Sequence, residues 1–300
     1  MLPRLQPYPD ETLGSVFIRL HRHTGLPFPL LKRAVGIPEL NHVGLLQARW
    51  LQQFSGITHL EPEQLATRHT MLPYSTSTSS DAYSAEVIRR AIDGLDTLKD
   101  VGRLANAVES QTHYRFCEGC IAEDHRMLGE TYWRRVHQLP GVYCCPWHLC
   151  PLIGVSSRPF RRHVPDLMPD SVWANALHYP SWKQQILIGA LSAHALAGKK
   201  LLYTKLLDAA MAGNFVQSNG SLSSQLQAEL NALYDKEFLI VSKMTSNSLE
   251  HWIQGCLRPR ANARIVPLRH ILLRTLFDYS ESTNLEKSPL ERIARQLSFF

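Results

Sequence analysis

Two pairs of soft ligands stand out in this chain: Cys117 and Cys120, two residues apart, and Cys145 and His148, also two residues apart. Between the pairs lie 24 residues, 121–144. A two-residue spacing lets one tight turn aim both side chains at a single ion, and two such knuckles complete a tetrahedral zinc site. The separation is longer than in a short ββα finger, so the pattern points to a zinc ribbon whose arm returns the second knuckle. Gly119 suits the first turn through its tolerance of positive φ, and Pro146 stiffens the second. Other donors fit less well. Cys144 adjoins Cys145, and neighbouring residues of an extended strand face opposite ways. Cys150 could substitute in a distorted site, His125 and His137 ride on the arm, and Cys256 is remote. A redox Cys-x-x-Cys would need a βαβ setting that the pattern does not offer, and unligated thiols would be small buried hydrophobes. Four protein ligands leave no open position for water, so the expected role of the zinc is structural. Such a site contributes roughly 10–16 kcal/mol of apparent binding free energy.

No catalytic constellation accompanies these ligands. Asp10 and Glu11 read as a helix start, with Asp10 a candidate cap. The His21, Arg22, His23 triplet sits where cations suit a helix end. Ser15 and Ser156 have no evident base, and no Gly-x-x-x-x-Gly-Lys-Ser/Thr loop is present. The expectation is a protein that is not an enzyme.

Around the ligands the pattern is mainly α. Residues 1–72 read as a helix-turn-helix-like unit: Leu13, Phe17 and Leu20 fall at helical spacing, and Gly25 and Gly36 close successive helices. Further patterns include Leu45, Trp50 and Leu51, then a helix entered at Pro62. Residues 73–112 open with a Ser/Thr run that reads as a linker and continue as one helix. The zinc ribbon occupies 113–163, and 164–300 form a helical C-terminal part. On this division, removing residues 1–72 would leave a folded, zinc-loaded remainder.

Composition is that of a globular chain: 300 residues, 44% apolar and 19% charged, which argues against disorder. The longest apolar-leaning run, Ile186–Ala197, is too short to span a bilayer. No secretory h-region opens the chain, so a cytoplasmic location and no membrane partner are expected. There structural disulfides are rare and clustered cysteines favour metal. The net charge of +6 suits a polyanion. From Arg115 to His163 there are seven arginines and four acids, and from Cys256 to Phe277 five arginines and no acid. Arg158, Arg161, Arg162, Arg258, Arg260, Arg264 and Arg269 are the candidate DNA contacts, since the guanidinium fork matches phosphate. A solvated face is the competing reading. Arg134 and Arg135, beside Trp133, read as braces of the ribbon.

The stretches "FCEGC", "YWRRVHQLPGV" and "CCPWH", together with "PYPDETLGSVFIRLHRHTG" near the N-terminus, resemble the TniQ/TnsD family of transposon target-selection proteins. The resemblance covers about Pro7–Gly25 and Arg115–Leu152, and a weaker likeness lies in "RPRANARIVPLRHILL". It places the family's zinc ligands on Cys117, Cys120, Cys145 and His148. It implies a non-enzymatic adaptor linking target DNA, or a CRISPR RNA-guided effector complex on DNA, to an AAA+ transposition ATPase. A stand-alone zinc-ribbon DNA-binding regulator is the alternative, and self-association into a homodimer stays open. This chain shows no second full ligand set after His148.

Overall fold

A computed structural model describes residues 2–37, 50–95, 113–156, 164–165, 173–174, 182–217, 220–234, 238–239, 249–258 and 265–283. Its N-terminal helices are α1 (Leu13–Thr24), α2 (Phe28–Val35), α3 (Leu51–Ile57), α4 (Pro62–Arg68), α5 (Leu72–Ser75) and α6 (Asp81–Ile92). Strand β1 (His113–Phe116) leads into α7 (Glu118–Leu128), and β2 (Ile153–Ser156) and β3 (Trp173–Ala174) follow. The C-terminal helices are α8 (Trp182–Leu196), α9 (Tyr203–Ala212), α10 (Ser224–Leu233), α11 (Leu249–Leu257) and α12 (Pro267–Thr283). The strands form one antiparallel sheet in the order β1-β2-β3, with Tyr114 opposite Val155.

The mainly helical expectation holds, and the first helices end as the glycines require. Gly25 and Gly36 take left-handed conformations after α1 and α2, and each returns its N–H to a carbonyl of the preceding turn. Leu45 lies outside the described residues. Trp50, expected inside a helix, is the left-handed residue that precedes α3. The cap of α1 is Thr12, whose hydroxyl accepts from the Ser15 N–H at 3.1 Å. Asp10 is instead held at φ 60° with its carboxylate turned inward.

Two hydrophobic cores organise the described residues. One gathers Leu13, Phe17, Leu31, Phe54 and Leu65 from the N-terminal helices with Tyr114, Phe116, Trp133 and Val155 from the sheet region. Residues 1–72 therefore share their interior with residues 114–155, and cutting them away would bare Trp133, which is fully buried. This shared core argues against a folded remainder after such a deletion. The second core joins Met71, Tyr74, Leu139 and Val142 to the C-terminal part, including Leu206, Ile271 and Phe277 of its helices and Phe215 just after α9.

The Ser/Thr run expected as a linker is buried at Ser75, Thr76 and Ser77. Its hydroxyls are satisfied locally: Thr76 donates to the Leu72 carbonyl at 2.9 Å and Ser77 to that of Tyr74 at 2.7 Å. The Thr78 hydroxyl donates to the Ile265 carbonyl at 2.7 Å, and the Leu201 N–H to that of Ser77 at 2.9 Å. The run is a junction with the C-terminal helices.

His270 lies buried on α12, and burial, helped by Arg274, pulls its pKa down to about 4. The unfolded chain therefore takes up this proton below pH 6.5 while the folded chain resists until about 4. Stability is full above that window and falls with pH inside it, by up to ~1.4 kcal/mol per pH unit. A His270→Leu variant is expected to show a shallower loss of urea midpoint between pH 6.5 and 5 than the parent chain. Equal slopes would refute the assignment.

Candidate metal centre

The two knuckles meet. The donor atoms of Cys117, Cys120, Cys145 and His148 all lie within 4.8 Å of one another. Nδ1 of His148 stands 3.6 Å from the sulfur of Cys117, 3.3 Å from that of Cys120 and 3.7 Å from that of Cys145. The Cys120 and Cys145 sulfurs are 3.7 Å apart. Donors about 2.3 Å (sulfur) and about 2.0–2.1 Å (nitrogen) from a common ion at tetrahedral angles would stand about 3.8 and about 3.6 Å apart. The spacing and the soft donor chemistry both fit a tetrahedral ion such as zinc.

Local structure explains the convergence. Cys117 precedes α7 and Cys120 sits in its first turn. The segment after the first knuckle thus begins as a helix, where the sequence suggested a simple returning arm. The second knuckle lies in the turn before β2, whose pairing with β1 brings it beside the first. The Cys145 N–H donates to the Cys150 carbonyl at 2.8 Å, and the Leu149 N–H to the Cys145 carbonyl at 2.9 Å. Gly119 is helical, so positive φ is not its purpose. A Cβ there would stand 2.7 Å from the His148 ring. The glycine makes room for the imidazole.

Of the remaining candidates, Cys144 is buried with its sulfur 3.6 Å from the Cys145 carbonyl oxygen, and burial pushes its thiol up to about 12. Cys256 is buried on α11. His137, in a 3-10 turn, is buried with Nε2 3.9 Å from the Cys120 sulfur, and burial holds it neutral, at about 3. Beyond His148, Glu123 stands 3.8 Å from Nε2, where a carboxylate can orient a ligating ring. Cys150 comes within 3.2 Å of the Cys117 sulfur. The sequence offered no sign of the His137 and Glu123 placements, which depend on helical geometry and on the fold of the intervening segment.

Charged side chains fasten this region to the N-terminal helices. Arg135 meets Asp10 at 3.0 Å and donates to the carbonyls of Thr67 and Thr70, and the Val136 N–H reaches the other Asp10 oxygen at 3.1 Å. Arg19 joins Glu11 at 2.7 Å and Glu130 at 2.9 Å, with Tyr8 against its face. Burial lifts the Glu11 carboxyl, up to about 7, and Arg19 opposes the lift. Arg134 pairs with Asp124 of α7 at 2.5 Å. Backbone links run alongside: Thr12 N–H to the Trp133 carbonyl at 3.0 Å and Trp133 N–H to the Ser15 hydroxyl at 3.0 Å. Asp10, Glu11 and Ser15 are thus parts of a clamp, and Arg134 and Arg135 brace the site as their position beside Trp133 suggested.

The candidate DNA contacts are more scattered. Arg158, Arg161, Arg162, Arg260 and Arg264 lie outside the described residues. Arg258 is exposed at the end of α11, its guanidinium against the turn at Gly220. Arg269 is half-buried on α12, 5.8 Å from the Trp252 ring centroid.

A helix-rich scaffold with one converging Cys3His donor set, clamped to an N-terminal helical pair, defines the class to which this protein conforms. Residues 2–152 match the family described as TniQ, and the chain belongs to that family. It is also similar to Transposon Tn7 transposition protein TnsD of Escherichia coli, at 27% identity over 155 residues. That stretch is 47% of this chain and 29% of the relative, so the chain covers less than a third of that protein's length. No helix among the described residues is long and apolar enough to cross a membrane.

Glycine replacements separate crowding at the centre from ordinary helix propensity. Gly255, on α11, has nothing within 4 Å of an added Cβ. Gly255→Ala is expected to stabilise the chain by about 0.5–1 kcal/mol. Gly119→Ala, also in a helix, is expected to lower both metal affinity and melting temperature. A gain in both at position 119 would remove the close-approach role.

Proposed function

We propose that this protein is a zinc-braced target-selection adaptor of a DNA transposon, acting by holding partners and not by catalysis. The observation that carries the reading is the match of residues 2–152 to the TniQ family. That range contains the residues that build the clamp and the knuckle pair. Similarity to a transposition protein of Tn7 points the same way. Cys117, Cys120, Cys145 and His148 would hold the zinc, which cross-links two short turns when bound. The chain's own residues do the rest: Arg134 and Arg135 fix the second half of the site against Asp124 and Asp10, and Glu123 steadies the His148 ring.

In this reading one surface meets target-bound nucleic acid, either a fixed DNA site or an RNA-guided effector on DNA. The exposed Arg258 and the neighbouring Arg260 and Arg264 suit phosphate, with Arg158, Arg161 and Arg162 as a second group. The other surface, on the N-terminal helices, meets an AAA+ ATPase. Joining both on one scaffold raises the effective concentration of each partner near the other.

Purified chain is expected to carry one zinc by elemental analysis. Cys117→Ala with Cys120→Ala should lose the zinc and the cooperative unfolding transition, whereas Cys144→Ser should keep both. A folded, metal-free double variant would defeat the zinc assignment.

The adaptor role is tested by pull-down with the ATPase encoded beside the gene, with and without target DNA. Because residues 1–72 share a core with the sheet region, surface changes replace deletion. Leu30 is 50% exposed and Arg33 is exposed on α2. Leu30→Glu with Arg33→Glu should reduce ATPase capture at least ~10-fold, about 1.4 kcal/mol, with melting temperature and zinc content unchanged. Undiminished capture would move the ATPase surface elsewhere. Specific duplex binding with no ATPase captured under any condition would favour a stand-alone regulator.

A further inference from the structure

The cluster holds one thiol more than a tetrahedral ion requires. The Cys150 sulfur lies 3.2 Å from that of Cys117, closer than the about 3.8 Å expected for two sulfurs on one zinc. Its position is enforced. Leu149 is held at φ 51°, a conformation that costs a residue with a branched side chain roughly 1–2 kcal/mol, and this bend turns the chain back after His148. The backbone bonds between Cys145 and the 149–150 pair lock the turn. Cys117, Cys120 and Cys145 are buried, while Cys150 is only half-buried and within reach of small molecules.

We propose that Cys117 and Cys150 form a peroxide-responsive pair whose oxidation to a disulfide expels the metal. The inference rests on the zinc reading above. Its oxidant is hydrogen peroxide. As the Cys150 thiol passes its proton to the Cys117 sulfur, the Cys150 sulfur attacks one peroxide oxygen. The O–O bond breaks, Cys150 becomes a sulfenic acid, and hydroxide leaves. The Cys117 sulfur then attacks the sulfenic sulfur, the S–O bond breaks, and the S–S bond forms. The Cys117 proton departs with the leaving oxygen as water. Two sulfurs have each given one electron, and one peroxide has become one water and one hydroxide. Cys117 could then no longer serve as a thiolate ligand, and Cys120, Cys145 and His148 alone would hold zinc too weakly to retain it.

Zinc-loaded full chain is treated with hydrogen peroxide. Released zinc is followed with a chromophoric chelator, and disulfides are mapped by peptide mass spectrometry. The expected result is one zinc released per Cys117–Cys150 disulfide, reversed by dithiothreitol with added zinc. Cys150→Ser should start with the same zinc content and release it at least ~10-fold more slowly. Release at the parental rate from Cys150→Ser, or a mapped disulfide joining other cysteines, overturns the proposal. So does a Cys150→Ser chain that purifies without zinc, because Cys150 would then be a ligand. A parental chain that never carries zinc defeats the metal reading itself, and the disulfide map would still decide the pairing.

Discussion

The Asp10–Arg135 ion pair is the interaction on which the rest of this structure depends. Asp10 is bent inward by a left-handed backbone and takes both the Arg135 guanidinium and the Val136 N–H. Nη1 of Arg135 donates to carbonyls at the end of α4 and in the turn beyond it. One charge pair therefore positions three stretches of chain far apart in sequence. Breaking such a buried pair from one side typically costs about 3–5 kcal/mol, because the surviving charge is left without water or partner. The neighbouring Glu11–Arg19–Glu130 triad repeats the principle, and Tyr8 joins it by donating its hydroxyl to Glu130 at 2.9 Å.

The metal centre inherits its shape from this clamp. Arg134 reaches from the clamped segment to Asp124 on α7, the helix that carries Cys120. Arg115 of β1 donates to the His137 and Leu139 carbonyls at 2.8 and 2.9 Å, and Gln138 pairs in return with the Arg115 backbone. His137 is thereby fixed next to the Cys120 sulfur. On the far side, Gly141 takes φ 76° and leaves space for Leu268 of α12; a Cβ there would stand 2.6 Å from that side chain. The ligand segment is thus gripped by the N-terminal helices on one side and the C-terminal helices on the other.

What was legible in the sequence was short-range. Paired ligands two residues apart, glycines that end α1 and α2, and proline at the start of α4 all act through one turn of chain. They therefore show in linear spacing. Less legible were features whose partners lie across the fold. Asp10 and Glu11 have the composition of a helix start, and only Arg135 and Arg19 reveal them as buried counter-ions. The hydroxyls of Thr76 and Ser77 bond to carbonyls of their own turn, so a polar run could enter the interior without betraying itself. Gly119 looked like a turn residue because the ring that needs its empty space arrives from 29 positions later.

The shared N-terminal core also sets a timetable. Phe17 and Leu31 cannot complete their packing until Trp133 and Val155 exist. At a synthesis rate of about 5–20 residues per second, the ribosome needs roughly 6–25 s to go from Leu31 to Val155. Throughout that interval the apolar side of the helical pair can be covered only in part, by α3 and α4. Loop-closure entropy over such distances favours slow, late condensation. Newly made chains should accordingly draw on chaperones that shield apolar helices until the sheet region has emerged.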